Sequence, residues 1–123
     1  MKTRLKTRSD EQLIEDFRLT ADQLGEAVVY WLPASRIADR LFLIKAALRE
    51  RGRATRLQLA NLLEDESRFV RYYTAKELYG LLPDQCRPII EANTDKIDGI
   101  VDAIVGDARG FMRAIDEGSY KPE

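Results

Sequence analysis

Asp95, Asp98 and Asp102 are the side chains whose spacing comes nearest to chemistry. At i, i+3 and i+7 they fall on one face of a helix, with Glu91 and Asp107 to either side. Oxygen-rich clusters of this kind can hold Mg²⁺ or Ca²⁺. The spacing is not that of an EF-hand loop, however, and carboxylates along a regular helix seldom converge on one ion. Two readings without metal stand beside it: a solvated acidic face, and a docking strip for a basic partner. Cys86 lies beside Arg87 and near a helix N-terminus, both of which lower a thiol pKa. Yet the 123 residues hold no histidine and no second cysteine. That removes the commonest general base, every Ser-His or Cys-His pair, any internal disulfide and any His/Cys zinc site. The expectation is an inert thiol in a non-enzymatic chain with no metal and no cofactor.

Two further groups suit binding rather than catalysis. Arg68, Tyr72, Lys76 and Tyr79 recur at i, i+4, i+8 and i+11, with Phe69 and Tyr73 nearby. An exposed Tyr/Arg/Lys row is the composition of an interaction hot spot; on a central helix of a stack the same rings would be core. Arg49, Arg51, Arg53 and Arg56 surround Gly52, and arginines there could neutralise phosphates. No aromatic residues interleave with them, which disfavours nucleic acid. Trp31, beside Tyr30 and just before Pro33, reads as a core or hairpin-junction residue.

The chain that must position these residues is of single-domain length. Charged residues make up 33% and hydrophobic residues 45%, the balance of a soluble helical domain. No apolar run approaches the ~18–20 residues of a membrane span. The basic start, Met1 to Arg8, lacks the apolar block of a secretory signal, so the expected location is cytoplasmic. Residues 1–56 carry 12 Lys+Arg against 8 Asp+Glu, and residues 57–123 carry 8 against 13. Halves of +4 and −5 leave room for a charged partner on either side.

Apolar residues recur at helical spacing throughout, and period-two alternation is absent. Ser9-Asp10-Glu11-Gln12 forms a capping box ahead of Leu13, Ile14, Phe17, Ala21, Leu24 and Val28; Gly25 allows a bend. Ser35 caps a second helix bearing Ile37, Leu41, Ile44 and Leu48, which Gly52 stops. A third helix is predicted over 54–64, a fourth over 68–81 and an irregular fifth, containing Pro88, to Asn93. Thr94-Asp95 then opens a sixth, with a break near Gly106 and a stop at Gly118. The predicted organisation is a basic arm (1–8), one helical domain (9–118) and a tail (119–123).

Leu62-Leu63-Glu64-Asp65, then Val70-Arg71, Ala75 and Leu78, resemble the HEAT consensus. The resemblance implies that Asp65 and Arg71 fix the turn between paired helices while Val70 and Ala75 pack between repeats. Thr74 departs from it where a small apolar residue is usual. The opening Lys2-Thr3-Arg4-Leu5-Lys6-Thr7 with Glu11-Gln12-Leu13, and the closing Asp107-Ala108, Ala114 to Gly118 and Tyr120-Lys121-Pro122, resemble a small bacterial family called domain of unknown function 2019. That resemblance implies an armadillo/HEAT-like helical fold with no established activity and no catalytic residues to carry over. The fold expected is therefore all-α, a short superhelix of about six helices in three antiparallel hairpins.

Such a stack presents a surface rather than a reaction vessel. The expected function is protein binding, as a monomer or homodimer without membrane contact. A sharper version is an immunity- or antitoxin-type inhibitor of a basic toxin or nuclease, steered by Asp95, Asp98 and Asp102 and anchored by Tyr72 and Tyr79. The alternative is a nucleic-acid-binding helical repeat using Arg49, Arg51, Arg53 and Arg56.

Overall fold

The computed structural model describes residues 2–121, so Met1 of the basic arm and Pro122 and Glu123 of the tail lie outside it. Among the described residues the chain is all-helical. It forms α1 (Lys2–Lys6), α2 (Asp10–Val29), α3 (Ser35–Arg51), α4 (Arg53–Leu57), a 3-10 helix (Gln58–Glu64), α5 (Arg68–Leu78), α6 (Pro83–Ala92) and α7 (Ala103–Asp116). None of these helices is long and apolar enough to cross a membrane.

The capping box at the start of α2 is formed in both directions. Gln12 N donates to Ser9 Oγ at 3.1 Å, and Ser9 N donates to the Gln12 side chain at 2.9 Å. Leu13, Phe17, Ala21 and Leu24 then bury one stripe. Gly25 does not interrupt the helix: α2 runs on to Val29. Ser35 is the first residue of α3 rather than its cap, and Leu41, Ile44 and Leu48 face inward.

The predicted helix over 54–64 is instead α4 followed by the 3-10 helix. Leu59 and Leu62 are three apart, so three residues per turn places them in one row, and both are buried with Leu63. The turn that follows is pinned from both sides. Asp65 Oδ2 accepts from Ser67 N at 3.0 Å, and Arg71 Nη1 donates to the carbonyls of Asp65 (2.7 Å) and Glu66 (3.0 Å). Ser67 caps α5 through Val70 N. A connection this short between packed helices makes the pair antiparallel.

The largest departure lies over residues 93–102, where no helix forms. Ile97 and Ile100 exchange two backbone hydrogen bonds of 2.9 Å each, closing an isolated bridge. Asp98 (φ 50) and Gly99 (φ 78) both have positive φ, as a two-residue type I′ turn requires, and Asp-Gly is a favoured pair for it. Helix α7 starts only at Ala103 and continues past Gly106 and Gly110 without a break. The core joins buried residues of α2, α3, α5, α6, α7 and the 3-10 helix, with Tyr72 its largest fully buried side chain. The ends are attached to it: Arg51 Nη2 donates to Leu5 O (3.0 Å), Arg8 bridges Asp16 (2.8 Å), and Tyr120 packs edge-on against Tyr79.

Candidate functional site

The row on α5 turns inward. Arg68 Nε donates to Asn93 Oδ1 at 2.8 Å, and its guanidinium grips Asp102 at 2.9 and 3.3 Å. Tyr72 is fully buried, and its hydroxyl donates to Asp107 Oδ2. Lys76 Nζ reaches the same oxygen at 2.8 Å and lies over the rings of Tyr72 and Phe111. Tyr79 packs edge-on against Phe111 and Tyr120, with ring centroids 5.8 and 5.2 Å apart. These four residues therefore fasten α5 to α7 and to the segments beside it. Tyr72 is core, and Arg68, Lys76 and Tyr79 are held in contacts within the fold rather than standing out as one exposed row.

Burial drives the Tyr72 hydroxyl far above the usual tyrosine value, aided by Asp107; it raises Tyr73 to about 12, Asp107 adding to the effect. Both phenols stay neutral, and Tyr72 remains the donor to Asp107. Asp102 shows the opposite balance. Burial works against its charge, but Arg68 and the Val105 amide hold the carboxyl below its ordinary value. It is also the N-cap of α7, accepting from Val105 N at 2.8 Å.

The acidic strip does not assemble as one helical face. Asp102 is occupied as cap and ion-pair partner, whereas Asp95 and Asp98 are exposed on the turn segment. Among the described residues no group of three His, Cys, Asp or Glu side chains is placed to hold a metal ion. Cys86 is buried, and burial pushes its thiol up to about 11; the lowering by Arg87 and the helix end does not prevail.

The arginines around Gly52 also serve the fold. Arg49 makes a bidentate bridge to Glu77 at 2.9 and 2.7 Å, and Arg56 adds contacts to the same carboxylate and to Glu77 O. The Glu77 side chain is 2% exposed, so this clamp ties α3 and α4 to α5 from inside. Arg51 bridges Asp10 at 2.9 Å. Arg53 is exposed.

The surface that stands out lies at the corner between α2 and α3. Tyr30 is 67% exposed, Trp31 90% and Leu32 55%. Trp31 is at the corner, as predicted, but outside the core. Its backbone is left-handed, φ 59, and Leu32 N donates back to Ala27 O at 2.8 Å. This is the helix-ending bond for which glycine is the usual left-handed residue. The end of α7 uses glycine: Gly118 has φ 75, and Ser119 N donates to Ala114 O at 2.9 Å. A non-glycine residue in this conformation costs roughly 1–2 kcal/mol, and an exposed indole recovers little of it by burial. The signal in the sequence is Tyr30-Trp31-Leu32-Pro33 itself, three large apolar residues where a helix end normally carries a small or polar stop.

No protein-family model, curated protein or solved structure matches the chain.

Proposed function

We propose that this chain is a non-enzymatic protein-binding module, a short HEAT/armadillo-like stack that presents the corner Tyr30-Trp31-Leu32 to a partner protein. The observation that carries the reading is Trp31, strained in its backbone and exposed in its side chain. Strain of this kind persists where function uses it, and tryptophan is the residue most typical of interface anchors. The repeat-like architecture is supported by the turn at Asp65, braced by Arg71, and by the burial of Val70 and Ala75 beside it. The partner supplies an apolar pocket for the indole.

The version with a basic partner, a toxin or nuclease held by an immunity-type inhibitor, rests on Asp95 and Asp98 alone. With exposed Lys96 between Asp95 and Ile97, they sit beside exposed Ile97, Ile100 and Val101 on a largely apolar tip of mixed charge. Nucleic-acid binding through Arg49, Arg51, Arg53 and Arg56 would have to draw, at every position but Arg53, on guanidinium groups that bridge Glu77 or Asp10.

The test is affinity recovery from native cells by tagged wild-type and Trp31→Gly proteins, after nuclease digestion. A protein held by the first and lost by the second supports the reading. A partner held equally by both, or one that disappears with nuclease, overturns it.

A further inference from the structure

Three arginines from different parts of the N-terminal half line one hollow. Arg4 on α1 and Arg8 just after it lie one turn apart, Arg40 comes from α3, and Asp16 from α2. The hollow measures ≈ 220 Å³ and has Leu5 and the buried Ile44 as its apolar lining. Backbone contacts hold it in shape. Arg51 Nη2 donates to Leu5 O at 3.0 Å, which fastens α1 to α3. Arg8 N donates to Leu5 O at 3.1 Å and Thr7 Oγ1 to Arg4 O at 2.8 Å, closing the turn between the two arginines.

The charges around the hollow do not balance. Arg8 spends Nε and Nη2 on Asp16, at 3.0 and 2.8 Å, and this fork fixes its direction. Among the described residues its Nη1 has no hydrogen bond, and the guanidinium groups of Arg4 and Arg40 have neither an ion pair nor a hydrogen bond. Three guanidinium groups therefore meet one carboxylate, which leaves two positive charges above an apolar floor. Such a floor strengthens each charge-assisted bond made over it. Residues 1–56 carry 12 Lys+Arg against 8 Asp+Glu, so the half of the chain that builds the hollow is positive as well.

We propose that this hollow binds the phosphate group of a phosphate monoester. That group carries close to two negative charges near pH 7, its second pKa being about 6, and so matches the uncompensated charge. Its three terminal oxygens accept from guanidinium groups arriving from different elements, and guanidinium suits forked contacts with phosphate. A carboxylate or a phosphodiester carries one charge and offsets half of the excess, which separates this site from a nucleic-acid surface. The hollow is smaller than the ~300–1,000 Å³ of pockets that enclose whole ligands, so it takes the phosphate while the rest of the ligand lies outside. It is separate from the Trp31 corner, and the two are tested independently.

The experiment is titration of the isotope-labelled full chain with phenyl phosphate at low salt, read by amide and arginine side-chain NMR shifts. Shifts are expected at Arg4, Arg8, Arg40 and Ile44, saturating in roughly the millimolar range or below. Dimethyl phosphate, a diester, is expected to bind about tenfold more weakly. Arg4→Glu and Arg40→Glu are each expected to weaken phenyl phosphate binding by about tenfold or more; both positions are exposed, so neither substitution disturbs the core. Retention on phosphatidic acid vesicles, reversed by phenyl phosphate, would assign the phosphate to a lipid headgroup. Phenyl phosphate binding without such retention would assign it to a soluble ligand, and either result supports the site. No saturable shift up to about 10 mM, or one that persists in Arg40→Glu, would overturn the proposal. Dimethyl phosphate binding as tightly as phenyl phosphate would overturn it equally.

Discussion

Gly25 on α2 lies directly against Phe69 on α5, and a Cβ at position 25 would stand well inside van der Waals contact of the Phe69 ring. The two helices meet at the centre of the fold, and a glycine sets how closely they approach. Exposed helix interiors gain about 1 kcal/mol when glycine becomes alanine. Here overpacking of about 1–3 kcal/mol opposes that gain. Gly25→Ala is therefore expected to lower stability in chemical denaturation. In a Phe69→Gly background, which removes the Phe69 Cβ as well as its ring, the same change is expected to stabilise, and the double-mutant cycle reads the coupling. Equal effects in both backgrounds would contradict the contact.

Trp31→Gly is expected to raise the thermal midpoint, because glycine takes the left-handed conformation without the strain a side chain imposes. Relief of roughly 1–2 kcal/mol is offset by the greater chain entropy of unfolded glycine, about 0.5–1 kcal/mol, so the net gain is small and positive. Trp31→Ala keeps the Cβ and is expected to show no such gain. Trp31 is the chain's only tryptophan, so emission from the free protein is expected to be solvent-like and readily quenched by acrylamide.

Glu77→Ala is expected to be the most damaging single change outside the apolar core. It leaves Arg49 and Arg56 facing a site from which their shared carboxylate has gone. Loss of one partner from a buried pair costs about 3–5 kcal/mol. The lower end applies here, since Arg49 is still partly in water. Urea unfolding with an unchanged slope and a much lower midpoint would match this expectation.

Stability is expected to change at both ends of the pH scale. The Asp102 carboxyl is depressed in the fold, despite burial, by Arg68 and the Val105 amide. Its contribution is complete above the ordinary value of 3.8 and disappears as pH falls through the lower folded value. Cys86 is raised from 9.0 to about 11 and Tyr73 from 10.0 to about 12, both chiefly by burial. Their contributions are complete below 9 and are lost as pH climbs from 9 towards 12. With no histidine in the chain, denaturant midpoints are expected to be nearly flat between those limits. Cys86→Ala is expected to remove the first part of the alkaline decline.

The helical stripes were readable wherever burial was one-sided. Leu13, Phe17, Ala21 and Leu24 mark α2, and Ser9 with Gln12 marks its start, because both signals are local. Residues 93–102 misled for a physical reason. Ile97, Ile100, Val101 and Ile104 mimic helical periodicity, while the conformation is decided by Asp98-Gly99, a turn pair flanked by two isoleucines. The α5 row misled differently. Periodicity places Arg68, Tyr72, Lys76 and Tyr79 on one side but cannot tell whether that side faces water or α7. The arginines near Gly52 likewise read as a basic surface until Glu77, far along the chain, folds between two of them. Of the two readings of Trp31, core or hairpin junction, the structure shows the junction and not the core, because the left-handed helix end turns the indole outward.

The central claim is that Trp31 enters a partner protein, and the most direct measurement is site-specific photo-crosslinking at that position in native cells. A photoreactive phenylalanine analogue at 31 is expected to give one discrete protein adduct, which the same analogue at exposed Arg53 does not give. Adducts to nucleic acid, or no adduct at 31 beyond that seen at 53, would contradict the protein-binding account.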